Sequence, residues 1–376
     1  MSHRILYLIG QLHSGGSERQ LYYLLREMNR SRYRPAVAVW NFSEKDIYVA
    51  QIRSLAVPIF FFAGSSSSTK LRSLRGLVRK LKPEVLHSYS AYLNFAVHWS
   101  TRRTSTIGIG SARSDFVFDW EGSSRWLACL NARWPRKQIY NSFEAAKLAS
   151  RSKSQFVPKQ VFVVQNGVDF DHFRMFPLPD KQGPNIVGIG SLIAVKRWDR
   201  LLSVARELTR RNLEFSVQVA GDGPLRGSLE QQVQELGVSD RVIFRGYTDD
   251  IPGFLSNAAF LVHTSDAEGS PNAIMEAMAC GRAVVATDVG DITSLVEDGK
   301  TGFIVRRGDD AMLVERIENL IVDRDLCRRM GEMGRAKAER EFGLDRLVAG
   351  TLAVYRTAGW NDAWPDGLSC AAEHIA

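Results

Sequence analysis

Cysteine is scarce in this chain: four residues, at 129, 280, 327 and 370, with neither Cys-x-x-Cys spacing nor the density of a disulfide scaffold. Reduced, structural thiols are therefore expected, and a zinc site is not. No apolar run approaches the ~18 to 20 residues that a helix needs to cross a bilayer. The opening MSHRILYLIG has one basic residue and a short apolar run but no small-residue cleavage site, so a buried strand is predicted there rather than a secretion signal. A cytoplasmic location is the expectation. Acidic residues are short in one half only: residues 1–175 hold 26 Lys/Arg against 11 Asp/Glu, and the remainder 23 against 30. A basic half can meet nucleic acid, anionic lipid or a phosphorylated substrate. No RNP, helix-turn-helix or finger pattern accompanies the charge, and nucleic acid is not an expected partner.

At 376 residues the chain exceeds the ~250 to 300 that a single core usually organises, which predicts two domains. Short apolar runs alternate with helix-like stretches throughout, the rhythm of β/α units around a parallel sheet. In the first half the runs are RILYLIG, PAVAVW, VPIFFF, EVLH, TIGIG and KQIYNS; in the second, NIVGIGS, FSVQVAG, RVIFRG, AFLVHTS, AVVAT and GFIV. PLPDKQGP at 177–184 gathers three prolines and a glycine without periodicity and reads as a linker. The expected division is 1–178, 179–345, and a helix with a tail over 346–376 that crosses back to the first domain. GSSSST at 64–69 is expected to be a surface loop.

The strongest local signal is AFLVHTSDAEGSPNAIMEAMACGRAVVAT, which reads as strand, loop, helix, turn, strand. Ser270 is a predicted helix cap, Pro271 suits the first helical position, and Gly281 suits the left-handed residue that ends the helix. Free N–H groups near Ser270, Asn272 and Ala273 would then sit at the carboxyl end of a parallel strand, where α/β sheets bind ligands and helix dipoles favour phosphate. Glu268 before the helix and Glu276 one turn inside it would oppose an anion, but they can accept hydrogen bonds from sugar hydroxyls.

This E-x7-E block resembles the signature of the retaining GT-B glycosyltransferases of family 4. Further matching stretches run from about residue 5 to 345: HSGGSERQ, VVQNGVDFDHF, GIGSLIAVKRWDRLL, VAGDGPLR and VEDGKTGFIV. The resemblance implies an α/β GT-B fold, two Rossmann-like doubly wound parallel-sheet domains facing a central cleft. It also implies a hexosyltransferase that takes a nucleoside-diphosphate sugar, UDP- or GDP-linked, with no cofactor and no metal. Gly15 and Gly16 would approach the donor phosphates by backbone, and Lys196 would hold the diphosphate with its ammonium, Glu268 completing the catalytic set. Ser191 stands where many relatives carry a second phosphate-binding arginine, for which Arg197 is a candidate substitute. A histidine against the donor sugar would be His87, in HSY, where the second histidine of the family pattern is Tyr89. The Asp169-Phe170-Asp171 triplet imitates a metal-binding DxD, but it lies in the QNGVDFDHF turn, and no metal site is expected from it.

On the acceptor side, Arg72, Arg75, Arg79, Lys80 and Lys82 recur along a segment that also carries Leu71, Leu74, Leu77, Val78 and Leu81. Such a helix, with Trp120, Trp126, Trp134, Arg133, Arg136 and Lys137, could lie on an anionic inner-leaflet surface. A glycan or lipid-linked acceptor, in cell-surface polysaccharide or glycolipid synthesis, is the matching expectation, with Arg113 and Asn94 as its contacts. Alternatives are a nucleotide-sugar-binding protein of the same fold without transferase activity and a nucleotide-sugar epimerase. A phosphorylase would need a pyridoxal-bearing lysine in a much longer chain.

Overall fold

The computed structural model describes residues 3–62, 64, 66–113, 125–152, 157–180 and 183–362. The chain divides into two compact units: one runs to Gly167 and resumes at Leu344, and the other is Val168–Gly343. Among the described residues seven strands belong to the first, β1 His3–Ile9, β2 Tyr33–Val39, β3 Ile59–Phe61, β4 Val85–Ser88, β5 Ile107–Ala112, β6 Lys137–Tyr140 and β7 Gln160–Val163. They form one parallel sheet in the order β3-β2-β1-β4-β5-β6-β7. The second unit has β8 Asn185–Ile189, β9 Ser216–Ala220, β10 Val242–Gly246, β11 Phe260–His263, β12 Ala283–Thr287 and β13 Gly302–Val305, in the order β10-β9-β8-β11-β12-β13. Each order reverses direction once, between β1 and β4 in the first sheet and between β8 and β11 in the second, which makes both sheets doubly wound.

Continuous apolar strands suit sheets covered on both faces. In β1, Ile5, Tyr7 and Ile9 pack with Leu21, Leu24, Leu352 and Tyr355, while Leu6 and Leu8 face Leu74, Val78 and Leu86. This is the period of two that a pleated strand imposes. In the second unit Ile186 joins Trp198 and Leu201, and its neighbour Val187 joins Ile274 and Met278.

Three expectations change. The passage between units falls at Gly167/Val168, upstream of the expected linker at 177–184. Val168 and Phe173 are buried in one cluster with Ile274 and Met278, and the Phe176 N–H donates to the Cys280 carbonyl (3.3 Å). Proline-rich composition there denotes irregular backbone, not exposure. Inside GSSSST a helix starts at Ser67 and runs to Leu81, with the Ser66 hydroxyl accepting from the Thr69 N–H. The additional strand β7 adds an edge to the first sheet beside β6. After leaving the second unit the chain returns as the helix Leu344–Thr357, whose Leu347, Leu352 and Tyr355 are buried in the first unit's core. The proposed tail lies almost wholly outside the described residues.

Candidate active site

The loops that leave β8 and β11 emerge at the reversal of the second sheet, where doubly wound folds hold their ligands. The β8 loop ends in a turn of 3-10 helix, Ala194–Lys196, followed by Arg197 at φ 52°, a left-handed conformation, at the start of the helix Trp198–Arg210. The β11 loop is tied to this turn at several points. The Thr264 hydroxyl lies within hydrogen-bonding distance of the Lys196 and Arg197 carbonyls (2.9 and 3.1 Å), and the Asp266 N–H donates to the Val195 carbonyl (2.8 Å). Asp266 also accepts from Arg197 (2.7 Å) and from the buried Arg200 (3.2 Å). These two guanidinium groups outweigh burial and hold the Asp266 carboxyl below its ordinary range. Arg197 is therefore occupied: Asp199 first and Asp266 second raise its pKa further, and its observed work is to clamp the two loops rather than to face a phosphate.

What the clamp brings together is Lys196 and Glu268. The Lys196 ammonium lies 2.5 Å from Oε1 of Glu268, the side chains being 19% and 12% exposed. The same Oε1 accepts from His263 Nε2 (2.9 Å) and from the Ser265 hydroxyl (2.6 Å). Burial alone would push the Glu268 carboxyl up, but His263 and Lys196 overcome it and hold the group well below the usual carboxylate range. Glu268 is thus a fixed anion. His263 and Ser265 escape a sequence reading because they sit where the apolar strand runs out; a histidine and a serine five and three residues before the first glutamate are the available signal.

Next comes the helix Asn272–Ala279, and here the capping expectation is corrected. Pro271, at φ −72° and ψ 113°, occupies the N-cap, and its ring makes no capping hydrogen bond. Proline's fixed φ suits both the N-cap and the first helical position, so sequence alone does not separate them. Ser270 is buried one residue further out. The N–H groups of Asn272 and Ala273 therefore open the helix directly behind a proline. Glu276 is 4% exposed, not a solvated surface glutamate. Gly281 (φ 72°) ends the helix as predicted. Gly290 lets the Glu268 loop and its own come into contact, since at φ 54° an added Cβ would lie 2.1 Å from the Glu268 carbonyl.

In the first unit the expected residues are placed differently. Gly15 precedes the helix Gly16–Glu27, and an added Cβ would meet the Glu18 carboxylate at 2.1 Å. Glu18 fills that space, and its carboxyl is raised mainly by burial. His87 is withdrawn as a reacting group. It is fully buried, Nδ1 lies 2.7 Å from the Tyr355 hydroxyl and Nε2 2.9 Å from the Ser111 hydroxyl. Burial first, then Arg113, hold it well below the ordinary histidine range, so it is a neutral core residue. Tyr89 is buried too, under the Arg113 guanidinium 3.8 Å from its ring centre. Asn94 is spent on the Ser111 backbone, donating to its carbonyl and accepting from its N–H (both 2.9 Å). Arg113 is partly buried, near Asn166 (3.4 Å).

The basic helix Ser67–Leu81 turns Leu74 and Val78 into the core, with Leu71, Leu77 and Leu81 packed beside them. Its apolar face is therefore used, while Arg72, Arg79, Lys80 and Lys82 are exposed. Trp134 stacks on His98 (4.1 Å) beneath Arg136, and Lys137 donates to the Ala358 carbonyl (2.7 Å). Trp126 is 71% exposed, and Trp120 lies outside the described residues. No described helix is long and apolar enough to cross a membrane.

Asp169 accepts from the N–H groups of Asp171 (3.1 Å) and His172 (3.3 Å), a local turn. Among the described residues no three His, Cys, Asp or Glu side chains gather as a metal ligand set. A cavity of about 500 Å³ beside the β8 loop is lined by Ile193, Arg197, Trp198, Leu225 and Gln232, with neither Lys196 nor Glu268 on its wall.

Comparison with known proteins gives the same segment prominence. Residues 169–337 match the family described as glycosyl transferases group 1. The chain is 31% identical over 178 residues to alpha-D-kanosaminyltransferase of Streptomyces kanamyceticus, covering 47% of this chain and 46% of that protein. It is 27% identical over 170 residues to N-acetyl-alpha-D-glucosaminyl L-malate synthase of Bacillus anthracis, covering 45% and 44%. In both cases the match spans about half the relative's length or less. Among solved structures, Anabaena HepE in complex with UDP superposes with a TM-score of 0.80 at 20% identity, covering 94% of this chain and all of that one. Two doubly wound parallel sheets and this likeness make the fold GT-B, and within it residues 169–337 are the segment that matches the group 1 glycosyltransferases.

Proposed function

We propose that the protein is a retaining glycosyltransferase that moves a hexose-type sugar from a UDP- or GDP-linked donor to a glycan or lipid-linked acceptor, without a metal ion. The observation that carries the reading is the meeting of Lys196 and Glu268 at the reversal of the second sheet, ahead of the helix Asn272–Ala279. Transfer breaks the bond between the anomeric carbon and the diphosphate oxygen, and negative charge grows on the leaving diphosphate. The Lys196 ammonium and the N–H groups of Asn272 and Ala273 answer that charge, and Glu268 and Glu276 accept hydrogen bonds from donor hydroxyls. The acceptor hydroxyl forms the new bond from the leaving-group face, and its proton passes to the departing phosphate oxygen. A buried neutral His87 is compatible with this route, since no protein base is required.

A basic first unit fits an acceptor held at an anionic surface. With the apolar face of the helix Ser67–Leu81 spent on the core, that attraction would be electrostatic alone and sensitive to salt. Ser191 in place of a second phosphate-binding arginine, and a buried Tyr89, favour one second reading, a donor-binding protein without turnover. The test is a thermal-shift panel of UDP-, GDP- and ADP-sugars, HepE having been solved with UDP-glucose. A ligand at 100 times its Kd should stabilise the fold by about 2.7 kcal/mol. A melting temperature unmoved by every sugar nucleotide overturns the proposal, and stabilisation without transfer to any glycan or lipid-linked sugar favours the second reading.

A further inference from the structure

A carboxylate oxygen offers about two lone-pair positions, yet three donors converge on Oε1 of Glu268: Lys196 Nζ (2.5 Å), Ser265 Oγ (2.6 Å) and His263 Nε2 (2.9 Å). One donor is in excess. Among the described residues no hydrogen bond reaches Oε2 of the same carboxylate, although the side chain keeps 12% of its surface open. The three donors also differ in freedom. His263 and Ser265 are 2% and 1% exposed, and their carbonyls are fastened from β12 by the Thr287 hydroxyl (3.4 and 2.6 Å). Lys196 is 19% exposed at the end of a four-carbon stem.

Resting on the donor-site reading above, we propose that His263 and Ser265 are positioning residues for Glu268. They keep Oε1 satisfied when Lys196 leaves it for the donor's diphosphate, so that Oε2 stays presented to a hydroxyl of the sugar. The Lys196–Glu268 pair is then the resting state of the empty site. Binding exchanges one partner of the ammonium for another, and two fixed donors remain for two lone-pair positions. With only one of them Oε1 still keeps a partner after the lysine departs, but the carboxylate is free to turn and Oε2 is no longer held toward the sugar.

The titrating and charged groups facing Glu268 are His263 from β11 and Lys196 from the β8 loop, both favouring its ionised form. Loss of His263 or Ser265 would therefore move the acid limb of donor binding to higher pH, toward the ordinary carboxylate range.

The experiment compares free UDP with UDP-glucose, and GDP with GDP-mannose, by calorimetric titration of the whole chain. The variants are Ser265→Ala, His263→Leu and His263→Gln. The nucleoside diphosphate alone should bind every variant within about 3-fold of wild type, because it draws on Lys196. The sugar nucleotide should lose about 10-fold in Ser265→Ala and in His263→Leu, the worth of one hydrogen bond to a charged group. His263→Gln, whose amide can still donate to Oε1, should recover most of that loss. Sugar nucleotide and free diphosphate weakening in parallel, or glutamine behaving like leucine, would overturn the inference and leave the donor site standing. A wild-type protein that binds neither pair overturns the donor-site reading and this inference with it.

Discussion

Each sheet carries a buried histidine on the strand next to its reversal, His87 on β4 and His263 on β11. Both are almost without exposed surface, at 0% and 2%, and only their partners separate them. His87 lies between two neutral hydroxyls, one of them Tyr355 of the returning C-terminal helix. His263 donates to an ionised glutamate that also touches a lysine. Two sheets of the same winding thus put the same residue type to opposite uses. Burial does not tell them apart; the charge and remaining openness of the neighbour do.

The sharpest way to break this comparison is Lys196→Ala. If the second sheet's constellation is built for growing negative charge, losing its cation should lower the transfer rate by about 10² to 10³-fold, as for other fixed donors to a developing anion. The thermal response to free UDP should shrink in the same variant. His263 and Ser265 still satisfy Glu268, so folding should change little. An undiminished rate would reduce the Lys196–Glu268 contact to a structural ion pair, with both histidines then belonging to the core.

A smaller effect, on stability instead of rate, is expected at His87. His87→Leu strips a partner from the Tyr355 and Ser111 hydroxyls, at about 1–3 kcal/mol for each group left unsatisfied. Melting should fall by roughly 2–4 °C per kcal/mol lost for a unit of this size, with the UDP response preserved. The pH dependence carries the signature. His87 titrates well below the ordinary value in the folded state, burial being the larger cause and Arg113 the second. On acidification the unfolded chain therefore takes up the proton first. The stability contribution is complete above the unfolded value near ~6.5 and is lost as pH falls below it, by up to about 1.4 kcal/mol per pH unit. Melting of wild type and variant from pH 7.5 to 5 should show the wild type losing more. Equal slopes would mean that folding leaves the titration of His87 unchanged, returning it to the candidates for chemistry.

The same contrast explains what the amino-acid order discloses. Lys196 and Glu268 are legible because motif and fold agree: one follows β8 and the other β11, and parallel winding brings those two loops together. His87 misleads because its decisive partner, Tyr355, lies 268 residues away on a helix that returns from the other unit. Asn94 misleads likewise, its side chain closing on the backbone of Ser111. β7 is a four-residue edge strand, and short apolar runs of that length carry little periodicity. The helix start at Asn272 shifts by one residue from expectation because proline fits either position. In the basic helix the spacing of Leu74 and Val78 does mark one face, but a face's partner, core or lipid, is not written in its period.

The smallest expected effect separates two adjacent cations. Arg197, unlike Lys196, has its guanidinium held by Asp199 and Asp266 and is only 35% exposed. It also occupies a left-handed backbone position at φ 52°, which glycine adopts without strain. Arg197→Gly removes partly exposed ion pairs of about 0.2–1 kcal/mol each and relieves backbone strain of similar size and opposite sign. Asp266 keeps Arg200 at 3.2 Å, and the Thr264 hydroxyl still has the Lys196 carbonyl at 2.9 Å, so the turn presenting Lys196 persists. Stability should stay within about 1 kcal/mol of wild type, because the two contributions oppose, and the UDP response should be unaltered. A UDP response weakened as far as in Lys196→Ala would show that Arg197 releases its carboxylates to meet the diphosphate, and that the arginine missing at Ser191 is replaced from the neighbouring turn.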